Sequence, residues 1–255
     1  MEHLQANALP HNAIDCVILG YQNEQLKVLL LKWKFEDLWC LPGGYIYQTE
    51  NFDEAAHRIL AERTGLTSIY LKQFYTFGQL ERSQYYRPEQ VALLKKILAQ
   101  IPLEGQDWDV DWFTKRFVST GYFALVDIEQ TTAQPDFLSE RCAWCSVEEV
   151  PSLLADHNKI LQKALEQLRI QLNYLPVGIS LLPTKFTMKD LQKLYESILG
   201  VSLQRSNFQR KILKLGMLVR HEKQMTGAAH KAPYLYSFDK EKYAALVERG
   251  IGFSF

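Results

Sequence analysis

The sequence predicts an α+β protein of two parts, with strands and helices interleaved over the first two-thirds and a winged helix-turn-helix over the last third. Three observations carry this. A hairpin, a glycine turn and a capped helix follow one another between Ala13 and Gly65. Two amphipathic helices joined by a short link occupy 187–216, and strand-like runs come after them. Charge is also divided: residues 174–255 hold 13 Lys/Arg against 6 Asp/Glu, while 1–173 hold 16 against 23. A basic end beside an acidic front indicates that the end alone meets a polyanion.

Each element has a local reason. Ala13–Gly20 and Leu26–Trp33 are apolar runs around a polar turn and read as a hairpin. Leu41-Pro42-Gly43-Gly44 is a permissive turn. Asn51, with Glu54 three residues on, opens a helix that Gly65 ends. Ile69–Phe77, Arg116–Val126 and Ala143–Ser146 read as strands. Between the first two of these, about 83–114 looks like an insertion, with a helix over Glu89–Ile101 and an aromatic, acidic stretch at Trp108, Asp109, Asp111 and Trp112. A further helix opens near Asp156, with Leu161, Leu165, Leu168 and Leu172 as its stripe. Asn173–Pro183, holding two prolines and a glycine, separates domains 1–173 and 174–255.

Composition excludes some classes. With 47% hydrophobic and 23% charged residues the chain is globular, and no apolar run reaches the roughly 18–20 residues of a membrane span. The first residues carry neither a basic start nor an apolar core, so a cytoplasmic protein without membrane partners is expected. Cys142-Ala143-Trp144-Cys145 is formally a C-x-x-C, but no second pair completes a zinc site. Strand alternation would turn its two sulfurs to opposite faces, so they read as small apolar residues.

In the last third, Thr187 and Asp190 form a capping box for a helix burying Leu191, Leu194, Tyr195, Ile198 and Leu199, closed by Gly200. In the second helix Phe208, Ile212 and Leu215 make the buried stripe. Asn207, Arg210, Lys211 and Lys214 share another face, with Arg205 and Gln209 alongside. A helix, a tight turn and a second helix exposing amides and cations is an arrangement that enters the major groove of double-stranded DNA. Met217–Arg220 and Tyr234–Phe238 would be the wing strands, with Lys223 and Lys231 meeting phosphates or the minor groove.

Gly44–Leu66 reads GYIYQTENFDEAAHRILAERTGL, and this segment resembles the Nudix box. Gly44, Glu50, Arg58, Leu60, Glu62, Gly65 and Leu66 match at the required spacings, after Trp39-Cys40-Leu41-Pro42-Gly43. In that family three carboxylates at i, i+3 and i+4 share one helical face and hold divalent metal against a diphosphate. Here those positions are Ile59, Glu62 and Arg63. Mg²⁺ requires hard oxygen ligands and a guanidinium repels it. We therefore expect no catalytic residue, no metal and no cofactor, with Glu62 pairing to Arg58 or Arg63.

The segments Tyr174–Gly178, Leu182-Pro183, Phe186-Thr187, Leu191-Gln192, Leu194–Glu196, Ile198–Gly200, Asn207-Phe208 and Arg210–Leu213, together with Asp156-His157 and Tyr75–Gly78, closely resemble the Nudix-related transcriptional regulators. The resemblance implies an N-terminal α/β/α sandwich with a mixed sheet, which binds a small effector, and a winged helix that binds operator DNA as a homodimer. Effectors in that family include ADP-ribose-type nucleotides and sugars or sugar phosphates, and repression is the expected mode. The effector site is expected near Arg58, Tyr75, Phe77, Arg82, Arg116 and Tyr122, with Arg82 and Arg116 flanking the insertion. Trp108, Asp109, Asp111 and Trp112 either stack on a sugar or merely anchor the insertion. The helix Lys159–Leu172, or the face beside it, is expected to help a two-fold dimer form on a palindrome. Two other readings stay open: a Nudix hydrolase acting on a nucleoside diphosphate derivative, and a protein-binding scaffold.

Overall fold

The computed structural model describes residues 7–67, 69–84, 86–101, 109–172, 179–224 and 232–249. β1 (Ala8–Gln22) and β2 (Gln25–Trp33) form the expected hairpin. Asn23 and Glu24, both at positive φ, make its two-residue turn, whose backbone twist suits paired strands. Ile14–Gly20 are buried without alternation, as in a central strand covered on both faces. Next come β3 (Trp39–Cys40), β4 (Gly43–Tyr47) and α1 (Phe52–Thr64). α1 starts with the predicted capping box, in which Asn51 accepts from Glu54 N–H at 3.0 Å and Glu54 accepts from Asn51 N–H at 2.9 Å. It ends on Gly65 at φ 72°, where a side chain would be strained.

β5 (Leu71–Phe77), α2 (Pro88–Leu98), α3 (Val110–Thr114), β6 (Val118–Val126), β7 (Ser139–Ser146) and α4 (His157–Leu172) complete the larger part. Its seven-stranded sheet has the order β3-β2-β1-β6-β5, with β4 paired antiparallel to β1 and β7 to β2. Cys142 lies opposite Leu31 and Cys145 opposite Val28; both are half-buried free thiols. α4 buries Ile160, Leu161, Ala164, Leu168 and Leu172, whereas Leu165 is only half-buried. The stripe thus centres one residue before Leu165, on Ala164, whose small side chain gave a weak apolar signal.

The insertion is built into the core. Leu93, Leu94, Ile97 and Leu98 of α2 and Phe113 of α3 pack with Leu31, Trp33, Leu38, Cys40 and Leu154. Burying each such side chain contributes about 1.5–3 kcal/mol, so this segment stabilises the sheet it covers.

The smaller part contains β8 (Phe186–Thr187), α5 (Met188–Leu199), α6 (Arg205–Lys214), β9 (Leu218–Lys223), β10 (Tyr234–Phe238) and α7 (Lys240–Arg249). Its three strands are ordered β8-β10-β9, both pairs antiparallel. Two compact units result, and they do not divide at one point of the chain. The first comprises the described parts of Met1–Leu19, Lys27–Ala124 and Gln130–Ala164. The second takes in Gly20–Leu26, Leu125–Glu129 and the described parts of Leu165–Phe255. Within the second unit, burial raises the Tyr21 phenol above its ordinary range, and the Glu24, Asp190 and Glu196 carboxylates add to the shift. Among the described residues no helix is long and apolar enough to cross a membrane.

Candidate functional site

The first unit holds a cavity of about 970 Å³. One wall is the helix face on which Ile59, Glu62 and Arg63 lie. Ile59 is fully buried, and a Cβ added to Gly44 would come within 2.9 Å of its Cδ1. The loop backbone is therefore seated directly on a hydrocarbon. Glu62 is taken by two arginines, Arg58 at 3.2 Å and Arg63 at 3.7 Å. Arg58 in turn holds the loop to the helix: it donates to Glu50 at 2.6 and 2.9 Å and to the Tyr45 carbonyl at 2.8 Å, and lies 4.1 Å above the Tyr47 ring. Burial alone would push the Glu50 carboxyl up, but hydrogen bonds from Arg58 and Tyr47 N–H outweigh it and hold Glu50 below the usual carboxylate range. Among the described residues no group of three His, Cys, Asp or Glu is placed to hold a metal ion. One engaged carboxylate beside two guanidiniums does not fit a hard divalent cation, which takes six or so oxygens.

A second wall is a buried charge cluster. Arg82 grips Asp156 with two hydrogen bonds, 2.8 and 3.0 Å, and donates to the Phe77 and Phe117 carbonyls at 3.1 and 3.2 Å. Its Nη2 is 3.7 Å from Asp15. Ser119 donates to the same Asp15 carboxylate. His157 Nδ1 accepts from Leu41 N–H at 2.9 Å, and its Nε2 faces Asp15 at 3.6 Å. Asp15, Ser119, Asp156 and His157 were not among the expected effector residues, although Asp156-His157 belongs to the family resemblance. The available signal was a carboxylate inside the apolar run Ala13–Gly20. Cys16, behind Asp15, is a thiol: burial pushes it up to about 12, Asp15 adding to the shift and Arg63 opposing it.

Of the six expected effector residues, Arg58 and Arg82 line this cavity and the other four do not. Phe77 is buried beside the ring of Tyr75, which is exposed with Lys163 Nζ 5.6 Å from its centroid. Arg116 donates to the Gly78 carbonyl at 2.8 Å, and Tyr122 is buried with its hydroxyl on Asp53 at 2.8 Å. From the insertion, Tyr86 and Phe113 reach the cavity, as does the adjoining Lys115. Trp112 packs against Tyr45, Phe113 and Phe117, and Asp109 caps α3 by accepting from Trp112 N–H. Asp111 lies in the first turn of α3; Trp108 lies outside the described residues.

In the second unit the Thr187 capping box and the left-handed Gly200 bound α5 as expected. The turn that follows is pinned by side chains: Gln192 donates to the Leu203 carbonyl at 2.9 Å, and Glu196 accepts from Leu203 N–H at 2.9 Å. This fixes where α6 begins. α6 buries Phe208 and Ile212, the former 5.3 Å from the Tyr195 ring, while Leu215 is half-buried at its end. Arg205, Asn207, Arg210 and Lys214 are exposed, and Gln209 and Lys211 half-buried. Arg210 donates to Asn207 Oδ1 at 2.9 Å, so two side chains suited to base edges are already ordered together. Lys223 ends β9 with its ammonium 5.3 Å from the Tyr234 ring centroid. Lys231 lies outside the described residues.

The model of the NUDIX domain family matches residues 9–168, and that of the NrtR DNA-binding winged helix domain matches 178–238. A relative from Acinetobacter baylyi, the ADPR responsive transcriptional repressor NtrR, is 30% identical over 241 residues, covering 92% of this chain and 84% of the relative. Among solved structures, Shewanella oneidensis NrtR complexed with a 27mer DNA is 25% identical with a TM-score of 0.67, over 94% of this chain and 96% of that one. A MutT/nudix family protein from Enterococcus faecalis shares the fold, with a TM-score of 0.61 at 20% identity over 91% of this chain and 87% of that one.

Proposed function

This chain belongs to the Nudix-related transcriptional regulators of the NrtR type, and we propose that it is a repressor whose operator binding is controlled by an ADP-ribose-type nucleotide held in the Nudix cavity. The observation that carries the reading is α6, which buries Phe208 and Ile212 and turns Asn207, Arg210 and Lys214 outward with no acidic residue among them. On the second helix of a helix-turn-helix, such a face of amide and cations suits base edges and phosphates. The effector class follows from the relative's ADP-ribose response and suits a cavity of about 970 Å³ that contains both apolar walls and guanidiniums. The chain acts as a cytoplasmic homodimer, with residues 174–255 reading DNA and half-sites about one or two helical turns apart.

Selection of bound oligonucleotides by the full chain tests this. A palindromic motif should be enriched, and ADP-ribose should weaken binding to it. No enriched motif, or an affinity that ADP-ribose leaves unchanged, contradicts the proposal.

In this reading the Nudix domain is not a hydrolase. Ile59 and Arg63 leave Glu62 as the one carboxylate of the helix face, and it is engaged by Arg58 and Arg63. Incubation with ADP-ribose and Mg²⁺ or Mn²⁺ should release no product, and turnover near the roughly 1 s⁻¹ of an ordinary enzyme would refute this.

A further inference from the structure

Three arginines line the cavity among its described residues, and their donors are not equally engaged. In Arg58, Nε, Nη1 and Nη2 all donate to Glu50, Glu62 or the Tyr45 carbonyl. In Arg82 the three nitrogens donate to Asp156 and the Phe77 and Phe117 carbonyls. Arg63 differs. Its Nε is buried and has no hydrogen-bond partner, and its contact to Glu62 is a loose 3.7 Å. Its side chain is only 14% exposed. A guanidinium held out of water with donors unused is costly unless an anion completes it. Its planar fork matches a phosphate with two parallel hydrogen bonds.

Its position gives this meaning. Arg63 occupies the helix face where the Nudix box places carboxylates, and it lines the same cavity as Ile59 and Glu62. A carboxylate face needs a divalent cation before it can hold a diphosphate, because the two are of like charge. A guanidinium on that face reverses the sign and can hold the anion directly.

We infer that Arg63 is a phosphate-binding residue that takes the place of metal, so that the cavity holds the diphosphate of a nucleotide effector in the absence of any divalent cation. The inference rests on the reading that this cavity takes such an effector. Lys115, which also lines the cavity, adds a second positive charge for the same group.

Calorimetric titration of the full-length protein with ADP-ribose, once in EDTA and once in Mg²⁺, tests this. Wild-type affinity should agree between the two conditions within about twofold, since no ion takes part. Arg63→Gln should weaken ADP-ribose about tenfold or more, as expected for loss of a charged hydrogen bond, with an apo melting temperature no lower than that of the wild type. Arg63→Lys, which keeps the charge and loses the fork, should recover part of that loss. Wild-type binding that disappears in EDTA, or Arg63→Gln binding as tightly as wild type, overturns the inference while leaving the effector reading in place. Absence of ADP-ribose binding by the wild type in both conditions overturns the effector reading and this inference with it.

Discussion

Arg82→Ala should destabilise the Nudix unit more than any surface substitution, by about 3–5 kcal/mol, because it strands buried carboxylates. Asp156 is 4% exposed and Asp15 7%. Both face Arg82, which Asp156 meets with two hydrogen bonds and Asp15 at 3.7 Å. Two carbonyls, of Phe77 and Phe117, would lose their donor in the same step. For a unit of this size the loss should lower the melting temperature by on the order of 10 °C. Most of that penalty belongs to the charge left behind, so Arg82→Met combined with Asp156→Leu should recover part of it. The contrast is Lys185–Glu222, a pair 2.8 Å apart with side chains 48% and 65% exposed. Lys185→Ala should cost less than about 1 kcal/mol. Thermal or urea unfolding of the variants measures this. A loss below about 1 kcal/mol for Arg82→Ala would mean that the cluster does not hold the cavity wall in place.

The same arginine shows where sequence reading reaches its limit. The family resemblance places Arg82, beside the insertion, at the effector site, and it lines the cavity. Its partner Asp156 lies 74 residues further along, and nothing local connects the two. Tyr122 and Asp53, 69 residues apart, are a similar case. Features closed within one turn were legible: the capping boxes at Asn51 and Thr187, the left-handed Gly65 and Gly200, and the stripe of Phe208 and Ile212. Their physics involves neighbours three or four residues apart. Sheet order was not legible, since pairing β1 with β6 and β4 depends on contacts between distant segments. Nor was the role of the insertion: the apolar residues of α2 announced a helix, but not that Leu31, Trp33 and Leu38 would cover it. Asp15 could have been found, because a carboxylate in an otherwise apolar strand must have partners when buried.

The second large effect concerns DNA. Arg210 and Asn207 stand on the exposed face of α6, joined by a 2.9 Å hydrogen bond. The turn before them is pinned by Gln192 and Glu196. Side chains held in one geometry lose less freedom on binding and discriminate better. Arg to guanine and Asn to adenine are each worth about 1–3 kcal/mol of base discrimination. Lys214, on the same face, is a flexible point charge, better suited to phosphate. Arg210→Ala should therefore cost about ten- to a hundredfold on the operator and little on unrelated DNA. Lys214→Ala should weaken both alike and flatten the salt dependence.

Fluorescence anisotropy decides this directly: wild type and both variants are titrated, at one salt concentration, onto the enriched operator and onto a shuffled duplex of equal length. Wild type should prefer the operator by about a thousandfold or more, a preference reduced at least about tenfold by Arg210→Ala and left intact by Lys214→Ala. Equal wild-type binding to both duplexes, with Arg210→Ala as tight as wild type, would contradict a sequence-reading role for α6.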